Sequence, residues 1–170
     1  SDAVAVLDEV TSGPQIVVGS SMGGWIAFLL AVARTERIAG IVGIAPAVDF
    51  TQALLWPRMT DEARRQIEEE GVWYRPSEYD PEPYPITRTL IEEGRNNLLM
   101  PGPIPFHGPV RLIHGMLDEA VPWEHSLKIA DAVASDDVEL SFIKDGKHRL
   151  SRDSDLNRLI SAVQNVIERV

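Results

Sequence analysis

Residues 15–24 read Gln15-Ile16-Val17-Val18-Gly19-Ser20-Ser21-Met22-Gly23-Gly24 and run into an unbroken apolar stretch that begins at Trp25. The β-branched run 15–19, bounded by Pro14 and Gly19, predicts a short buried strand. Residues 23–34 carry Trp25, Ile26, Phe28, Leu29, Leu30 and Val32 around the whole helical wheel, which predicts a helix at the centre of a domain. Between strand and helix stands a G-x-S-x-G pattern. A chain that must reverse at once from strand to helix strains the residue at the tip and exposes its hydroxyl, here that of Ser21. Gly19 and Gly23 would leave room for the close approach. The backbone N–H of Met22 would then open the helix, where it can stabilise an oxyanion. The competing reading of Ser21 is a plain helix N-cap in a glycine-rich turn.

Outward from this unit the alternation continues. Residues 2–11 predict a short amphipathic helix. Strands are expected at 37–45, 109–115 and 139–143, with helices at 123–134 and 153–170, the last bearing an apolar stripe of Leu156, Leu159, Ile160, Val163, Val166, Ile167 and Val170. Strands separated by helices imply a mostly parallel sheet covered on both faces. Ligands on such sheets sit beyond the carboxyl ends of the strands. Residues 49–106 interrupt the pattern. They hold most of the prolines and no long apolar strand. Thr60 and Gly71 bracket a helix over 61–70. Thr89 with Glu92 resembles a capping box for a second short helix ending near Leu99, and 75–85 reads as an irregular loop. The expected organisation is one α/β domain with a core of 1–48 and 107–170 and a small helical lid insertion at 49–106.

Composition narrows the function. Sixteen basic and 26 acidic side chains leave a net charge of −10 over 170 residues, which disfavours nucleic acid and anionic membrane surfaces as partners. The absence of Cys excludes disulfides, thiolate metal sites and a Cys nucleophile. The longest apolar run, 25–33, is nine residues, where a membrane span needs about 20. Trp25 stands where a phosphate-binding loop needs Lys, no dinucleotide fingerprint is present, and no pair of histidines has zinc spacing. No metal and no cofactor are expected.

A serine nucleophile needs a base, and the base needs an orienting acid. Asp118 follows the strand at 109–115, and the helix after its loop would fix it; Glu119 and Asp49 are its rivals. His148 follows the strand at 139–143. The other histidines fit a base less well: His107 ends the insertion, His114 lies inside a strand and His125 sits in the first turn of a helix. Each candidate also has a plain structural reading, Asp118 as a turn aspartate and His148 as a surface residue. The chain order Ser, Asp, His, each after its own strand, favours Ser21, Asp118 and His148 as a triad.

With this order, and a buried helix after the serine turn, the chain resembles the α/β-hydrolase superfamily along its whole length. The segments Gly19 to Trp25, His114 to Trp123 and Lys147-His148-Arg149 are similar to one branch, that of α/β-hydrolase domain-containing protein 10 and its bacterial relatives, and Gly71-Val72-Trp73-Tyr74-Arg75 agrees. The resemblance implies an acyl-protein thioesterase or acyl-glucuronide esterase type of chemistry on an ester or thioester of a small molecule or an acylated protein. It implies a cytoplasmic setting in a bacterium or a mitochondrial one in a eukaryote. Ser21 in place of Asp argues against the dehalogenases and epoxide hydrolases of the superfamily. The resemblance also implies four strands and an oxyanion loop before the serine turn. None is present, so the chain is expected to be the C-terminal two-thirds of a longer protein, with the second oxyanion donor outside it. Trp25, Trp56, Trp73 and Tyr74 are candidates to line an acyl pocket, against the alternative that the aromatics Trp56, Trp73, Tyr74, Tyr79 and Tyr84 merely pack the insertion. Two other functions stay open: a non-catalytic binding protein on the same fold, and C–C hydrolysis or perhydrolysis on the same triad.

Overall fold

The computed structural model describes residues 2–76 and 81–170. Its elements follow the expected alternation: α1 (Asp2–Val10), β1 (Gln15–Ser20), α2 (Met22–Ala33), β2 (Ile38–Ile44), α3 (Asp61–Glu70), β3 (Val72–Arg75), β4 (Tyr84–Thr87), α4 (Arg88–Asn96), β5 (Val110–Gly115), α5 (Glu124–Ala132), β6 (Val138–Ile143) and α6 (Asp153–Ile167). The chain forms two compact units, Asp49–Leu98 and the remainder.

The larger unit is built on a four-stranded sheet in the order β1-β2-β5-β6, with every pairing parallel. Helices cover both faces. On one face Gly40 meets α6 so closely that a Cβ there would lie 2.3 Å from Val166 Cγ1, and Ile113, Ile143 and Leu150 pack with Leu159 and Ala162 of α6. On the other face His114 of β5 bonds Ser126 of α5, and Phe142 of β6 meets Trp123 edge-to-face at 5.1 Å. The all-round apolar helix is α2, in which Trp25, Ala27, Phe28, Leu30 and Ala31 are buried. Residues 99–106 belong to this unit rather than to the insertion: Ile104 forms a parallel bridge to Val133, and Ile104 and Phe106 are buried in its core.

The smaller unit has its own core of Leu55, Met59, Ala63, Ile67, Ile86 and Ile91. Helix α3 occupies the predicted residues. Thr60 Oγ1 accepts the Ala63 N–H at 3.2 Å, and Gly71 ends the helix in the left-handed region at φ 83°. Two local expectations are corrected. Helix α4 is capped by Thr87, whose Oγ1 accepts the Leu90 N–H at 3.1 Å, and not by Thr89. The Thr87 backbone is extended because it still belongs to a strand, and a cap residue needs that geometry. The supposed loop 75–85 contains the start of β4, paired antiparallel with β3 from Val72↔Thr87 to Arg75↔Tyr84. The intervening Tyr79 lies outside the described residues.

Candidate active site

The site gathers at the carboxyl ends of β1, β5 and β6. Ser21 follows β1 directly and caps α2 with φ 53° and ψ −122°, a positive-φ conformation that is costly for a residue with a Cβ. The surroundings hold it there. The Ser21 N–H donates to the Ile44 carbonyl, and the Ser21 carbonyl accepts the N–H groups of Gly24 and Ala47, each at 2.9 Å. The tightness of the turn rests on Gly19, where a Cβ would stand 2.3 Å from the Gly23 carbonyl oxygen, and on Gly24, where it would stand 2.6 Å from Pro46 Cβ. Gly23 offers its backbone to this approach, while a Cβ of its own would meet nothing within 4 Å. Met22 is the first residue of α2, so its N–H is among the first-turn amides that find no partner within the helix.

Asp118 and His148 lie on neighbouring loops drawn together at a second close approach. A Cβ at Gly115 would lie 2.3 Å from the Gly146 carbonyl oxygen. The Met116 N–H bonds Ile143 and the Leu117 N–H bonds Gly146, each at 2.8 Å. Leu150, itself at φ 43°, buries its side chain against Ile113 and Ile143 and so anchors the loop that carries His148. Arg152 ties the two ends of that loop, reaching Asp145 Oδ2 at 2.7 Å and Asp155 Oδ2 at 2.8 Å.

The side chains then form one line. His148 Nε2 stands 3.1 Å from Ser21 Oγ, and His148 Nδ1 stands 2.7 Å from Asp118 Oδ2. The Asp118 side chain is fully buried, and 17% of the His148 side chain is exposed. Burial pushes the Asp118 carboxyl up. Hydrogen bonds from His114, His148 and the Val121 N–H, with the charge of His148, outweigh it and hold the group well below the usual carboxylate range. The carboxylate therefore stays ionised beside the imidazole, as an orienting acid must. From the sequence His114 is only a residue inside a strand, with no local signal that ties it to Asp118. The structure sets it against Asp118 from within the core, four residues earlier in the chain.

The other candidates are placed elsewhere. Glu119 is exposed. Asp49 is buried at φ 57° and opens the smaller unit. His107 is exposed, and His125 Nε2 bonds the Val48 carbonyl at 2.8 Å. Trp25 is buried in the core of the larger unit. Trp56 and Trp73 pack against the core of the smaller one, and Tyr74 is largely exposed. Among the described residues no group of His, Asp or Glu could hold a metal ion.

Comparison with known proteins agrees with this architecture. Residues 2–167 match the prolyl oligopeptidase family. Mouse palmitoyl-protein thioesterase ABHD10, mitochondrial, is 41% identical over 172 residues, covering 99% of this chain and 57% of its own length. A solved structure from Agrobacterium vitis S4, described as a hydrolase, superimposes with a TM-score of 0.93 at 43% identity, over 98% of this chain and 66% of that one. Mouse α/β-hydrolase domain-containing protein 10 does so with a TM-score of 0.87 at 40% identity, over 98% and 67%. The chain thus spans little more than half the length of the curated relative.

Proposed function

The chain belongs to the prolyl oligopeptidase family of α/β-hydrolases, and from that premise we propose that it is a serine hydrolase of carboxylic esters or acyl thioesters. The observation that carries the reading is the unbroken line from Ser21 Oγ through the His148 imidazole to the buried Asp118 carboxylate. Ser21 Oγ attacks the acyl carbonyl as His148 Nε2 takes its proton. The Met22 N–H supports the developing oxyanion. His148 returns the proton to the leaving alcohol or thiol, and the acyl group stays on Ser21. A water molecule, deprotonated by His148, then releases the acid. Asp118 keeps the proton of His148 on Nδ1 and stabilises the imidazolium without itself taking the proton.

The family name would equally admit an amide as substrate. An ester or thioester is preferred because the relative that matches along almost the whole chain is a thioesterase by name.

The test uses the full-length protein with p-nitrophenyl esters, acyl thioesters and peptide anilides, beside Ser21→Ala. Turnover of the first two, lost by about 10⁴-fold or more in the variant, is the expected result. An alanine variant as active as the parent overturns the mechanism. Failure of a fluorophosphonate probe to label the folded parent protein would favour the non-catalytic alternative.

A further inference from the structure

Asp118 is held from more directions than a serine–histidine–aspartate line requires. Its Oδ1 accepts the N–H groups of Ala120 and Val121, each at 2.9 Å. Its Oδ2 faces His148 Nδ1 at 2.7 Å and His114 Nε2 at 3.3 Å. His114 is completely buried, and its Nε2 also stands 2.9 Å from the Val121 carbonyl oxygen. A carbonyl only accepts, so Nε2 carries the proton and donates it to that carbonyl, with the carboxylate oxygen at ion-pair distance from the same nitrogen. In the neutral ring Nδ1 then accepts the hydroxyl of Ser126, 2.7 Å away on α5. The tautomer of His114 is set by its surroundings.

We propose that His114 is a positioning residue for the reaction proposed above: its Nε2–H completes a four-donor cage around Asp118 and thereby fixes the carboxylate that orients His148. The inference rests on the triad reading. A carboxylate offers about four acceptor sites. With all four engaged, turning it about its Cβ–Cγ bond breaks several hydrogen bonds at once. Spreading its charge over four donors also limits how strongly it draws on the Nδ1–H of His148. Without His114, Oδ2 keeps His148 but loses its second donor. The carboxylate then turns more easily and holds the imidazolium more tightly. Among the described residues, the titratable group against each imidazole is the same Asp118, and the other hydrogen-bond partners of the two rings are the Ser21 and Ser126 hydroxyls and the Val121 carbonyl.

Four variants of the full-length protein decide the matter. His114→Phe keeps the ring volume and removes the donor. His114→Gln keeps an N–H at the reach of Nε2. With a p-nitrophenyl ester, H114F is expected to lower kcat about 10-fold or more at unchanged KM, and to move the acid limb of the kcat/KM profile up by about half a pH unit. H114Q is expected to recover both. Ser21→Ala, measured alongside, separates the failures. An S21A enzyme as active as the parent overturns the triad and this proposal with it. An inactive S21A beside an H114F enzyme with the parent's kcat and limb overturns the His114 proposal alone. So does an H114F enzyme that loses kcat with the limb unmoved and no recovery in H114Q, which is the signature of simple packing. Where circular dichroism shows H114F unfolded, Ser126→Ala, which removes the partner of Nδ1, carries the test. It is expected to move the limb the same way by less, and the parent's profile in S126A overturns the proposal.

Discussion

Ser21, Asp118 and His148 each occupy a position that a folded protein must work to hold. Ser21 sits at positive φ, Asp118 is a buried carboxylate, and His148 hangs on a loop pinned by Leu150 and Arg152. Their individual contributions should separate cleanly. Asp118→Asn preserves shape but favours the wrong tautomer of His148. It is expected to lower kcat by about 10⁴-fold at neutral pH with the fold intact by circular dichroism, and a loss under about tenfold would remove Asp118 from the triad. The same residue scale governs acid stability. Asp118 and Asp155 are both held below the usual carboxylate range, Asp155 chiefly by the Arg152 guanidinium. A carboxyl lowered in the folded state contributes stability that is fully present above its unfolded value, about 3.9, and is lost as pH falls through its folded one. Urea midpoints should therefore drop as pH is lowered through and below about 4. Asp155→Asn should flatten part of that drop, and a variant with the parent's pH slope would show that Arg152 gives Asp155 no net support.

At the scale of the element, what could be read from the chain depended on how local the controlling physics is. The strand–turn–helix of residues 15–33 was legible because apolar periodicity and G-x-S-x-G are both local signals. So was helix α3, whose cap and terminal glycine are adjacent in sequence. Three features were not. The β3–β4 hairpin is built from Trp73-Tyr74-Arg75 and Tyr84-Pro85-Ile86, short half-exposed segments with no alternation long enough to read. The return of 99–106 to the larger unit depends on Ile104 meeting Val133, a contact across the chain. The role of His114 appears only once the loop after β5 has folded back over it. The cap of α4 illustrates the limit: Thr87 and Thr89 are two residues apart, and the hairpin decides between them. Thr87→Ala should lower stability by about 1 kcal/mol. Thr89→Ala, at an exposed position, should change it by less than about 0.5 kcal/mol. Chemical denaturation of the two variants reads the difference, and equal losses would return the cap to Thr89.

For the whole molecule the opposing quantities are charge and exposed apolar surface. A net charge of −10 keeps copies apart. Against it, β1 is an edge strand of the four-stranded sheet with Val18 46% exposed, α1 presents Val6 and Val10, and α6 presents Leu156, Ile160 and Ile167. An open parallel strand beside apolar helix faces is a template for association. Residues 1–170 expressed by themselves are therefore expected to self-associate, and the salt dependence tells which force is in command. Raising ionic strength shrinks the Debye length from about 10 Å at 0.1 M to about 3 Å at 1 M, which removes the repulsion and leaves apolar association intact. Light scattering after size exclusion should show larger species at the higher salt. Under the proposed mechanism, hydrolysis by residues 1–170 alone should also fall about 100-fold or more below that of a protein as long as its curated relatives, because among the described residues the proposal assigns one oxyanion donor, the Met22 N–H, and the lack of a second typically costs that much. A 1–170 polypeptide that is monomeric at both salts and matches the full-length protein in kcat would overturn both arguments together. A monomer with low activity would retain the donor argument and discard the edge.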